Sequence, residues 1–319
     1  MNRTLRCKSA LLKQDLTGKT YVVTGANSGV GLATTEQLVR QGARVVAACR
    51  RVEAGREATR HLGDARGRVE VAALDLGSLD SVRHFAGEFL KHHVRLDGLV
   101  NNAGIMNVPE GRTRDGFEMH LGVNHLGHVL LTDLLLPVLQ QSAPSRIVCV
   151  SSAFHVESRG HVGEIRLDDL NFTTRPYDPW VAYGQSKLAN VLHAAELARR
   201  LEGTRVAAFS VHPGWVRSNL VQHTMPGWVQ NILLRPFGAL VDMVSPEDGA
   251  QTTSHCLLSP EALEHNGAYF SQKGIYPGKE DRKGGWPMRS PNPQAHDAGL
   301  AARLYDRSLE LVGAFQAGS

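Results

Sequence analysis

The chain has little cysteine. Cys7, Cys49, Cys149 and Cys256 are its only four thiols in 319 residues, and no two form a Cys-x-x-Cys pair. That usage argues against a disulfide scaffold and for reduced thiols in a reducing compartment. Long apolar runs are also missing. The best, Val129 to Leu139, is interrupted by Asp133 and Pro137 and falls short of the roughly 20 residues that span a bilayer. Met1 to Gly18 has basic residues but no apolar core of signal-peptide length, so we expect no transmembrane segment and a cytoplasmic location. No dense Lys/Arg run occurs and the net charge is +4, which gives no basis for binding nucleic acid. Internal repeats and low-complexity tracts are absent too. What is present is ordinary globular material, 42% hydrophobic and 21% charged, enough for one large domain over 1–319.

Short apolar runs alternate with longer amphipathic ones. Thr20–Thr24, Arg44–Cys49, Val69–Leu74, Leu96–Val100, Arg146–Val150 and Arg205–Val211 read as strands. Between them, Gly29–Gln41, Glu53–Leu62, Leu79–His93, Asp115–Gln141 and Val181–Leu201 read as helices. This alternation predicts βαβ units, hence an α/β fold with a doubly wound parallel sheet and helices on both faces. After Val211 the rhythm changes. Ser245-Pro246-Glu247-Asp248 has the cap, proline and acids of a helix start. Gly274 to Pro293 is rich in Gly and Pro and should be irregular. A last helix is expected over Asp297–Leu311.

The first strand runs into Gly25-Ala-Asn27-Ser28-Gly29-Val30-Gly31. Glycines between a strand and a helix let the backbone approach a pyrophosphate, and the helix start offers it free N–H groups. The second strand ends in Arg50-Arg51 where a site built for NAD would carry an acid on the ribose 2′-hydroxyl. An arginine fork suits a 2′-phosphate, so the expected cofactor is NADP(H), with Arg50 as the main ligand and Arg51 assisting. Further on, Tyr183 and Lys187 stand one helical turn apart and can reach the same reacting group. An ammonium beside a phenol favours its ionised form and makes it a usable acid or base near neutral pH.

In combination these motifs resemble the short-chain dehydrogenase/reductase superfamily. The ordered set is the glycine turn from Thr24 to Gly31, Asp75-Leu76, Asn101-Asn102-Ala103-Gly104, Asn124, Ser151-Ser152, Tyr183-x-x-x-Lys187 and Pro213-Gly214. Asp115 to His128, Ser142 to Val148, Ser186 to Asn190 and His212 to Gly214 look like the retinol dehydrogenase group in particular. The resemblance implies a Rossmann fold and a catalytic set of Asn124, Ser152, Tyr183 and Lys187. In it Ser152 holds the substrate oxygen, Tyr183 exchanges the proton, Lys187 holds the nicotinamide ribose and Asn124 anchors a water. It also implies that Asp75 and Leu76 meet the adenine, Asn102, Ala103 and Gly104 line the crevice, and Pro213, Gly214 and Val216 flank the nicotinamide. Ser218 stands where many members have threonine.

The core of this reading covers 17–218. Asn219 to Val244 carries Met225, Trp228, Ile232, Leu233, Leu234 and Phe237, and reads as a substrate lid over 219–245. Core packing, an oligomer contact or contact with a membrane surface would use the same residues. Residues 272–319 form a C-terminal extension. The expected activity is hydride transfer between NADP(H) and an apolar aldehyde or ketone, or its alcohol. A light-dependent protochlorophyllide reductase and a non-catalytic NADP(H) sensor are the alternatives. The first would need light for turnover, and the second has no use for a proton relay. His120, His125 and His128 are expected to pack rather than bind metal. The helices Asp115–Gln141 and Val181–Leu201 resemble those through which relatives form homodimers.

Overall fold

In a computed structural model of the chain, described for residues 4–63, 65–156, 160, 162–216, 243–274, 276 and 278–313, the apolar runs assemble into one parallel sheet. A short helix α1 (Ser9–Leu12) precedes β1 (Thr20–Thr24), α2 (Gly29–Arg40), β2 (Arg44–Cys49), α3 (Val52–Thr59) and β3 (Arg68–Ala73). Then come α4 (Leu79–His92), β4 (Gly98–Asn101), a π-helical turn (Leu121–Leu126) continuing into α5 (Gly127–Gln141), β5 (Ser145–Val150), α6 (Pro179–Arg200) and β6 (Val206–His212). The described remainder holds α7 (Pro246–Leu258), α8 (Pro260–Leu263), β7 (Tyr269–Ser271) and α9 (Ala298–Leu311). The strand order is β3-β2-β1-β4-β5-β6-β7 with every pairing parallel. The order reverses between β1 and β4, which opens a crevice at the carboxyl ends of those strands.

The strands alternate side chains between two cores. Val22, Leu99, Ile147 and Ala208 point to the face covered by α4, α5, α6 and α9. Val23, Val100, Val148 and Phe209 point to the face covered by α2 and α7. Both faces being buried explains why the strands read as continuous apolar runs. Caps set the helix starts: Ser78 accepts from the Ser81 N–H, Ser245 from that of Asp248, and Asp297 from that of Leu300.

Three expectations need correction. The helix expected from Asp115 begins only at Met119. Gly116 turns the chain at φ +85°, Asp115 instead accepts from the Leu79 N–H, and the buried Glu118 carboxylate caps His120 and Leu121. α6 starts at Pro179 rather than Val181, because Asp178 accepts from the N–H groups of Trp180 and Val181. The dinucleotide-binding body does not end at 218, since α7 and β7 complete it. At three residues, β7 is too short to show a period of two. The lid expected over 219–245 lies outside the described residues except for Met243, Val244 and Ser245.

Among the described residues one helix, Leu121–Gln141, is long and apolar enough to cross a membrane by length and composition, which reading the run alone did not suggest. Its most apolar window is 72% buried inside the fold, as a core helix would be. α6, one of the helices expected to mediate dimerisation, is packed against the chain's own α9. His193 stacks on Tyr305 and Arg200 pairs with Asp306. Much of that surface is therefore already occupied.

Asp97, at the entry to β4, ties together the starts of the two central strands β1 and β4. Its carboxylate accepts from the Thr20 N–H, Lys19 and Arg95 at 2.7–2.9 Å. Burial pushes its carboxyl up, but the bonds from Arg95, Thr20 and Lys19 outweigh burial and hold it below the usual range. A depressed folded-state value means its stabilisation is present above the unfolded pKa, about 3.9, and is lost as pH falls through the folded one. Asp97→Ala is expected to cost about 1–2 kcal/mol, because Lys19 and Arg95 stay solvated and mainly the Thr20 N–H loses its acceptor. In urea titrations the gap to wild type should be full at neutral pH and shrink below about pH 4. A gap that does not change with pH would show that the carboxylate charge contributes nothing.

Candidate active site

The crevice deepens into a cleft of about 570 Å³. Its adenosine-side floor is the turn after β1. Gly25 and Gly29 adopt φ +65° and +55°, conformations that favour glycine. Asn27, Ser28, Gly29 and Val30 face the cleft, and Gly29 opens α2, so the free N–H groups of a helix start point where an anion would sit. Gly31 does not line the cleft. A Cβ there would stand 2.4 Å from the Gly25 carbonyl oxygen and 2.5 Å from Asn102 Nδ2, so it is what lets the turn close against β4. Thr24 locks that closure. Its hydroxyl accepts from the N–H groups of Asn102 and Ala103, both 2.9 Å, and Asn102 Nδ2 donates to its carbonyl.

At the end of β2, Arg50 and Arg51 are exposed and border the cleft, and neither has an ion-pair partner among the described residues. The nearby acid Glu53 is taken by Arg56. Asp75 and Leu76 line the wall beyond β3, with Asp75 oriented by the Gly77 N–H. Ala103 and Gly104 line the opposite side. Close backbone, free helix N–H groups and unpaired guanidinium groups together fit a phosphorylated dinucleotide.

The other half of the cleft brings Ser152, Tyr183 and Lys187 together. Ser152 follows β5, and Tyr183 and Lys187 lie in the first half of α6. Ser152 stands beside the Tyr183 phenol and favours its ionised form, and its Oγ accepts from the Phe154 N–H. Lys187 Nζ donates to the Val150 carbonyl at 3.0 Å and lies 5.8 Å from the Tyr183 ring centre. Asn124 sits behind, fully buried and outside the cleft lining. Its side chain binds both backbone groups of Ile105 and the Ser186 hydroxyl, and its carbonyl accepts from Asn190. The amide is therefore spent on joining the loop after β4 to α6. A Cβ on Gly104 would come within 3.0 Å of Asn124 Oδ1 and 3.3 Å of Lys187 Nζ, so these three residues converge.

The ionisation expected of Tyr183 is not met in the ligand-free chain. Burial pushes its phenol up to about 12, with Ser152 opposing. Burial likewise brings Lys187 down to about 8, weakly opposed by Cys149. Desolvation acts against the charged form of both groups and dominates at each. Tyr183 is thus held as a neutral phenol, the form that gives a proton to a carbonyl oxygen. In the ligand-free protein, the absorbance difference between wild type and Tyr183→Phe should show no phenolate below about pH 10. A phenolate signal from Tyr183 near pH 8 would overturn this.

Pro213, Gly214 and Val216 line the far end. Gly214 turns at φ +88°, and Val216 pairs with Val244. Ser218 lies outside the described residues. The three histidines serve the fold. His128 bridges Thr24 and the Asn124 carbonyl, His125 bridges Asn190 and Ser308, and His120 pairs with Glu118.

Sequence reasoning missed part of the substrate end. Ile105, Met106, Met119, Phe154, Trp215, Tyr276 and Arg282 also line the cleft. Phe154 falls in the turn that follows Ser152. Tyr276 and Arg282 come from a Gly/Pro-rich stretch with no local pattern to mark them. Phe154 stands edge-on to Tyr183 at 5.8 Å and tilts against Trp215 at 6.1 Å, so an apolar aromatic wall adjoins the phenol.

Comparison with known proteins agrees with this geometry. Residues 19–163 match the model of the short chain dehydrogenase family. Human retinol dehydrogenase 13 is 42% identical over 308 residues, covering 94% of this chain and 86% of that protein. Human retinol dehydrogenase 14 is 44% identical over 315 residues, covering 93% and 87%. Among solved structures, an uncharacterized protein from Mycobacterium paratuberculosis superposes with a TM-score of 0.73 at 37% identity, covering 97% of this chain and 98% of that one. The RhlG/NADP active-site complex from Pseudomonas aeruginosa has a TM-score of 0.64 at 25% identity, covering 81% and 95%. The chain belongs to the short-chain dehydrogenase/reductase family of oxidoreductases, and within it is similar to the retinol dehydrogenases.

Proposed function

We propose that the protein transfers a hydride between NADP(H) and an apolar aldehyde or ketone, or the corresponding alcohol. The observation that carries this is a single cleft with Arg50 and Arg51 at one end and the Ser152–Tyr183–Lys187 cluster against an aromatic wall at the other. The bound nicotinamide supplies the hydride chemistry. Ser152 holds the substrate oxygen by its hydroxyl, and Tyr183 gives or takes the proton at that oxygen. Lys187 supplies an ammonium beside the phenol, and Asn124 holds α6 to the loop after β4. Gly25, Asn27, Ser28, Gly29 and Val30 seat the pyrophosphate, with Gly31 allowing the turn to close.

NADP(H) preference is supported by Arg50 and Arg51 and by the absence of an acid at the end of β2. The names of the relatives point to retinoid-like alcohols, and the aromatic wall around Phe154 and Trp215 supports an apolar substrate class. The four free cysteines support the reducing cytoplasm as the location. The test is a panel of apolar aldehydes, ketones and alcohols with NADPH, NADP⁺, NADH and NAD⁺, run in darkness and followed at the reduced nicotinamide absorbance. Turnover with NADPH and an apolar aldehyde is the expected result. No turnover with any member, or turnover only in light, would overturn the proposal.

A further inference from the structure

We infer that Arg282 is a specificity residue that receives an anionic group on the substrate, so the preferred substrate is an apolar carbonyl or alcohol with a carboxylate-like end. This rests on the substrate reading above and deepens it. Arg282 lines the same cleft as Tyr183 but comes from the C-terminal segment. Its Nε donates to the Tyr276 carbonyl at 2.7 Å, which orients the guanidinium. The loop that carries it is pinned, because the Gly274 N–H donates to the Arg282 carbonyl at 3.2 Å and Gly285 exchanges backbone bonds with Ser271 of β7. Nearby charge does not neutralise it. Glu280 is paired with Lys283, and no ion pair joins Asp281 to Arg282 among the described residues. Among the described residues the terminal nitrogens of Arg282 have no carboxylate partner.

Its position separates it from the cofactor-phosphate end. Tyr276, to which it is tethered, is buried against Ala153 and Val156 in the turn that follows Ser152. The segment also packs on Gly214, where Lys273 and Gln272 would meet an added Cβ at 3.2 and 3.3 Å. Arg282 is exposed and lines the cleft from the segment after β7, held through Tyr276 to the turn that follows Ser152. An oriented guanidinium with no carboxylate partner among the described residues matches a carboxylate by two parallel hydrogen bonds. It offers nothing comparable to a terminal methyl.

Two measurements on the full chain test this separately from the activity. Calorimetric titration of the NADP⁺-loaded protein with decanoate and with decanol reads the anion site directly. Arg282→Ala is expected to weaken decanoate about 10-fold, as for a charged hydrogen bond at a partly open rim, and to leave decanol within about 2-fold. Arg282→Lys should recover part of the loss, since it keeps the charge without the fork. Equal effects on both ligands, or no effect on decanoate, would overturn the inference. So would a loss of NADPH affinity in Arg282→Ala with decanoate binding intact, which would assign the residue to the cofactor. Decanal reduction by NADPH reads the activity itself. Its failure alongside Arg282-dependent decanoate binding would refute the activity and leave the anion site standing.

Discussion

Tyr183→Phe is expected to lower turnover by about 10²–10⁴-fold while leaving NADPH affinity near wild type. The ring is 5% exposed and makes edge contacts with Phe154 and His120, and phenylalanine keeps all of that packing. Only the hydroxyl is lost, and with it the interaction with Ser152 and the proton that must reach the substrate oxygen. Losing one neutral hydrogen bond costs about 1 kcal/mol of stability, too little to unfold the domain. A fall in turnover with retained cofactor binding therefore reports chemistry rather than folding. Steady-state kinetics and NADPH fluorescence titration on the same preparation check it. A variant that turns over at the wild-type rate would remove Tyr183 from the proton transfer.

Arg50→Ala is expected to weaken NADP(H) binding by about 10- to 150-fold and to leave NAD(H) binding almost unchanged. Arg50 follows β2 at the rim of the cleft and is not committed to any ion pair among the described residues. Its removal breaks no side-chain hydrogen bond among them, so the loss should fall on the 2′-phosphate. Arg51 beside it softens the effect, and the double variant should lose more than either single one. Competitive titration with NADP⁺ and NAD⁺ separates the cases. An equal loss for both cofactors would mean that Arg50 holds something common to them, and an unchanged NADP⁺ affinity would shift the role elsewhere.

The order of motifs in the chain mapped well onto the cleft because each motif is local. The glycine turn needs only a strand before it and a helix after it, and Tyr183 and Lys187 need only one helical turn. Arg50 needs only to end a strand whose limits are visible in Arg44–Cys49. Helix starts were legible where the cap was recognised, as at Ser245. They were misplaced where the cap came from a buried Glu118 or from Asp178. Likewise β7 has three residues and is stabilised by pairing with β6, which no local pattern displays.

The sequence by itself determined the fold class and the local motifs that come to line one crevice, because periodicity, turn chemistry and i,i+4 spacing are properties of neighbouring residues. Three things were decided only by tertiary structure. Gly31 and Asn124 are supports beneath the cleft rather than its lining, since what they touch is brought in from β4 and α6. Tyr183 is held neutral by burial, although spacing alone pointed to a phenol ionised by Lys187, because desolvation depends on everything packed around a group. Tyr276 and Arg282 line the cleft from a stretch without a pattern, since only the assembled sheet brings the chain after β7 back to it.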